Sequence, residues 1–162
     1  MIPSSQNGIF PIIITFIIAI ALLLFPLPDY LIWWRPNLVL MVLIYWVMAL
    51  PDKIGIFSAW ILGIITDVTL GSVLGVHGVS MAIVAYLIFM LSNRLRLFPL
   101  WQQALTISLM IGLDLVLSLW IQNSISTQPR YGEYWLPIIS SIFIWPLVLF
   151  ALRYVRRTFH VR

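Results

Sequence analysis

The sequence predicts an all-α polytopic membrane protein with six transmembrane helices in a single domain, and three observations lead there. The 162 residues are 62% hydrophobic and 9% charged, against about half and about a quarter in soluble domains. The apolar residues fall into six runs separated by short breaks rich in proline, glycine or charge. The basic residues lie at the ends of those runs and not along one polar face, so the net charge of +4 reads as topology and not as a nucleic-acid surface. Cysteine is absent, which excludes disulfides, iron–sulfur clusters and thiolate zinc sites.

The first run, 9–25, is followed by Pro26-Leu27-Pro28-Asp29 and not by a small-residue cleavage site, and no Lys or Arg precedes it. It therefore reads as a retained helix, not a secretory signal. Pro11 is tolerable near its start, where the amides have no helical partner. The second run, 38–50, is short of the roughly 20 residues of a span. Adding Ile32, Trp33 and Trp34 gives 32–50, with Arg35 snorkelling to the surface beside Pro36. Pro51-Asp52-Lys53 turns the chain into the third helix, 54–70, and the segment from Gly71 to Gly75 turns it into the fourth, 76–91. The fifth, 100–121, carries Asp114. A polar stretch, 122–134, leads to the sixth, 135–152, where Pro137 lies in the first turn and Pro146 is expected to kink the helix. With both termini in the cytoplasm, Lys53, Arg94, Arg96, Arg153, Arg156, Arg157 and Arg162 fall inside and only Arg35 and Arg130 outside, a strong positive-inside bias.

The third helix is the most patterned stretch. Every fourth residue gives Gly55, Ala59, Gly63, Asp67, Gly71 and Gly75, a stripe of small side chains with one carboxylate in it. Small residues at that spacing let another helix approach closely, in a right-handed crossing of about −40°. Packing within the chain is the preferred reading and a partner's helix the alternative. Asp67 and Asp114 are each about 20 Å along their helices, at about 1.5 Å per residue, and an acid inside a span is a functional candidate. One reading is a polar site between helices three and five for a cation, a proton or a solute. The preferred one is structural: Asp67, a turn before Gly71, reaches a backbone amide of the glycine turn or pairs with Arg35.

His77 reads as a polar cap or switch, and a metal there needs Asp67 or Asp114 as co-ligand, because His160 lies far off on the tail. No metal site, cofactor motif, hydrolase or transferase arrangement, or phosphate loop is expected. The basic tail, Arg153, Arg156, Arg157 and Arg162, reads as a topological anchor, with contact to anionic lipid or a cytoplasmic partner as the alternative.

Several strings together resemble one bacterial family. They are Gly63-x-x-x-Asp67-x-x-x-Gly71-x-x-x-Gly75, Arg35-Pro36-Asn37-Leu38, Tyr45-Trp46 with Ala49-Leu50-Pro51, Trp101-Gln102-Gln103-Ala104-Leu105, and Trp145-Pro146 before an arginine-rich tail. Their order and spacing over nearly the whole chain are similar to the rod shape-determining membrane proteins of the MreD family, of gammaproteobacterial type. The resemblance implies a non-enzymatic, multi-pass inner-membrane subunit of the machinery that elongates the peptidoglycan wall. It further implies direct assembly with MreC, and through the complex with MreB, RodA, a penicillin-binding transpeptidase and RodZ, in contact with membrane lipid and with no nucleic acid. It also implies a fold like the six-helix substrate-binding subunits of energy-coupling-factor transporters, and no catalytic residue. The competing function is a small-solute-binding or transport subunit with a polar site near Asp67 and Asp114.

Overall fold

The computed structural model describes residues 9–26, 28, 34–125 and 135–159. Among these residues six helices form: α1 (Ile9–Leu24), α2 (Leu38–Ala49), α3 (Ile56–Leu70), α4 (Val76–Leu95), α5 (Leu100–Ile125) and α6 (Leu136–Thr158). Three of them, α4, α5 and α6, are long and apolar enough to cross a membrane, and α1, α2 and α3 are shorter apolar helices.

The shortest helix is the centre. α2 contacts α1, α4, α5 and α6, and every residue from Val39 to Ala49 is buried. A helix that is apolar on all sides has no face to offer water, so enclosure by other helices is its stable place. The expected extension back to residue 32 is corrected. Trp34 lies in a turn and is exposed, and Ile32 and Trp33 fall outside the described residues. The start at Leu38 has a local cause: the Asn37 side chain accepts the Leu40 amide at 3.3 Å, an N-cap, and Pro36 restricts the backbone before it. At the other end, Arg96 at the close of α4 donates from Nε and Nη2 to the Met48 carbonyl at 2.8 and 2.6 Å. Both ends of α2 therefore find their polar partners inside the protein.

The remaining helices wrap this core. α3 packs chiefly on α4, α4 also on α5, and α5 on α6. Trp46 donates from its indole nitrogen to the Thr15 hydroxyl at 2.9 Å, joining α2 to α1. α4, α5 and α6 run past their expected ends at 91, 121 and 152. Those limits were drawn at the first polar residues, whereas Ser, Asn, Gln and Arg are compatible with helix once the apolar part has ended. α4 stops shortly before Pro99, where Gln103 donates to the Leu95 and Phe98 carbonyls at 2.8 and 3.2 Å. α6 continues through Pro146 without a break in the helix.

Candidate functional site

The site grows from the five-residue connection between α3 and α4. Gly71, at φ 64°, closes α3 in the left-handed conformation that glycine adopts without steric cost. Its amide reaches the Val68 carbonyl at 3.3 Å and the Ser72 amide reaches Asp67 O at 3.0 Å, the double closure of a Schellman turn. Gly75, at φ 96°, starts α4 and has no side chain to cap it. The cap comes from Asp67. Its Oδ2 accepts the Gly75 amide at 2.8 Å and the Gly78 amide at 3.4 Å. Its Oδ1 accepts the Ser72 hydroxyl at 2.7 Å and the His77 amide at 3.1 Å, and lies 2.7 Å from His77 Nδ1. A fully buried carboxylate thus sits on the exposed amides of a helix N-terminus, where the helix dipole favours negative charge. The His77 contact requires the ring proton on Nδ1.

Asp114 on α5 forms the second half of the network. Its Oδ1 accepts the Ser80 hydroxyl of α4 at 2.6 Å and its Oδ2 accepts Asn37 Nδ2 at 3.2 Å. Ser118 donates to the Ser80 hydroxyl oxygen at 3.1 Å. Asn37, already the N-cap of α2, is thereby tied to α5. The chain of contacts from Asp67 through the first turns of α4 to Asp114 and Asn37 joins α2, α3, α4 and α5. The alternative of one polar site between helices three and five finds α4 between the two acids, each with its own donors, and the preferred structural reading matches in that Asp67 accepts the Gly75 amide of the glycine turn.

Two further expectations change. Arg35 does not pair with Asp67; its guanidinium donates to the Leu23 and Phe25 carbonyls at the end of α1. The side chain that Asp67 meets on α4 is His77. The small-residue stripe is also not one packing face. Ala59 and Gly63 are buried, and a Cβ on Gly63 would stand 2.4 Å from the His77 carbonyl oxygen and 2.5 Å from Gly78 Cα. A Cβ on Gly55, Gly71 or Gly75 would meet nothing within 4 Å; Gly71 and Gly75 serve positive-φ backbone at the end of α3 and the start of α4, whereas Gly55 has an ordinary extended backbone. In the tail, Arg153 and Arg157 are exposed, Arg156 is half-buried beside Tyr45, and Arg162 lies outside the described residues.

The sequence does not mark Ser72, Ser80 and Ser118, and marks Arg96 only as a topological charge, since each acts on a residue of another element or across a turn. Asn37 entered only as part of a family string, although Asn directly before an apolar run is an N-cap signal. The strings singled out in the sequence include the side chains that fasten helices: Asn37 on Asp114, Trp46 on Thr15, Gln103 on the α4 terminus and Asp67 on the start of α4.

Comparison with known proteins agrees over the same span. A family model described as rod shape-determining protein MreD matches residues 4–155. A relative from Haemophilus influenzae, named rod shape-determining protein MreD, is 33% identical over 148 residues, covering 91% of this chain and 91% of its own length. No solved structure matches the chain significantly.

Proposed function

The chain belongs to the rod shape-determining protein MreD family, and on that premise we propose that it is a non-enzymatic subunit of the bacterial wall-elongation complex. In this reading all six helices cross the inner membrane, both termini are cytoplasmic, and the fold is of the type found in six-helix substrate-binding transporter subunits. The protein holds MreC directly, and works with MreB, RodA, a penicillin-binding transpeptidase and RodZ within the complex.

The observation that carries the reading is the engagement of both buried acids. Asp67 and Asp114 fasten helix to helix with donors from this same chain, as the preferred structural reading of these acids requires. α3 supports it further. It packs chiefly on α4, and its other side presents Phe57, Trp60, Ile61, Ile65 and Val68 outward. The solute-binding alternative draws little from this geometry, because the donors around the acids are already paired and the groove between α1, α2 and α6 is apolar.

Depletion in the source bacterium is expected to turn rods into spheres, with rescue by the intact chain. A photocrosslinker moved through positions 57, 60, 61, 65 and 68 is expected to capture MreC on this side of α3. Rescue without any MreC product along that scan rejects α3 as the MreC face. A small molecule that copurifies and raises the melting temperature revives the solute-binding reading.

A further inference from the structure

A groove of about 550 Å³ opens between α1, α2 and α6, lined by side chains such as Leu22, Pro36, Val42, Leu147 and Ala151. Its one hydroxyl residue, Thr15, is turned away into bonds with the Ile12 carbonyl and Trp46. Along α6 the lining runs from Ile144 to Val155, about 16 Å at 1.5 Å per residue. The hydrocarbon core of a bilayer is about 30 Å, so the groove is the length of one lipid tail in one leaflet. A partner's transmembrane helix needs about twice that length, and its seat is normally built from small residues.

A cation stands at one end of this groove. Arg35 directly precedes the lining residue Pro36, and its bonds go to the carbonyls of Leu23 and Phe25, beside the lining residue Leu22. Its Nε–H is buried without an acceptor, and among the described residues no carboxylate pairs with it. A guanidinium has five N–H donors, and an uncompensated charge against apolar surroundings is costly. We propose that the groove holds one acyl chain of an anionic phospholipid, with the phosphate group on Arg35. This inference stands apart from the proposed role in wall elongation and does not depend on it.

The test uses the full chain in neutral detergent, offered equal amounts of phosphatidylglycerol and phosphatidylcholine with identical chains, and read by native mass spectrometry. The wild type is expected to retain phosphatidylglycerol about fivefold better, the factor one basic side chain is worth at an anionic surface. Arg35→Gln is expected to retain both lipids equally, Arg35→Lys to keep the preference, and Ala151→Trp to lose both lipids by filling the groove. Equal retention by the wild type, an undiminished preference in Arg35→Gln, or unchanged retention in Ala151→Trp overturns the proposal. Asp29 lies outside the described residues. If the wild type shows no preference and Asp29→Asn creates one, Arg35 is already neutralised and the proposal falls. A photocrosslinker at Leu147 in cells is expected to give a lipid adduct, and a single-span protein adduct there overturns it.

Discussion

At the residue scale, the glycines of one stripe have unequal roles, and substitution separates them. Alanine at Gly63 would press on backbone atoms of His77 and Gly78 that cannot swing aside, so Gly63→Ala is expected to cost about 1–3 kcal/mol, the range of overpacking. Gly55→Ala adds a methyl to open space and is expected to stay within about 0.5 kcal/mol of wild type. Gly71→Ala meets no neighbour either, yet its φ of 64° makes the cost about 1–2 kcal/mol. Thermal unfolding in detergent ranks the three. Asp67→Asn keeps the shape of the α4 cap but removes acceptor capacity, for an expected loss of about 1–3 kcal/mol. Because Arg35 binds α1 carbonyls and not Asp67, Asp67→Asn and Arg35→Gln are expected to add within about 0.5 kcal/mol in a double-mutant cycle; strong coupling would restore the pair expected from the sequence. The role of Asp67 was legible because its donors lie on the adjoining turn and the start of the next helix, five to eleven residues along the chain. For Arg35 the sequence offered only the surface or Asp67, because the α1 carbonyls reach it through a tertiary placement that spacing does not show.

At the element scale, α2 departs furthest from expectation, and the reason is informative. The apolar run 38–50 is short for a span and is expected to extend back to residue 32, whereas the helix has 12 residues. What permits the short helix is polar satisfaction from elsewhere: Asn37, itself held by Asp114, at the start, and Arg96 at the finish. No pattern inside 38–49 announces either partner. The amphipathic period that usually reveals a buried face is also missing, because the whole circumference is buried. The apolar runs themselves gave all six helices, with their ends misplaced where polar residues continue a helix. Arg96→Met is expected to free the Met48 carbonyl and cost about 1.5–3 kcal/mol, the worth of hydrogen bonds to a charged group. Amide hydrogen exchange is expected to rise first in the last turn of α2. Uniform exchange across the protein would show that Arg96 supports the bundle as a whole and not this helix end.

At the scale of the whole molecule, membership of the MreD family and a helical bundle closed by its own polar latches agree on a shape-determining membrane protein. The three short helices add a physical property. α1 and α3, of 16 and 15 residues, reach about 24 and 22 Å, while α5 and α6, of 26 and 23 residues, reach about 39 and 34 Å. α1 and α3 both present apolar side chains outward. With all six helices across the membrane as proposed, a hydrocarbon core of about 30 Å meets flanks of unequal height on one protein, at fractions of a kcal/mol per Å. The melting temperature is expected to rise on reconstitution with shorter-chain lipids, and indifference to chain length would remove the effect. The lipid beside α1 and α3 has to thin. Each molecule then carries an elastic dimple in the bilayer, and two such dimples lower their combined cost by merging, which draws together thin-flanked proteins that share no contact surface.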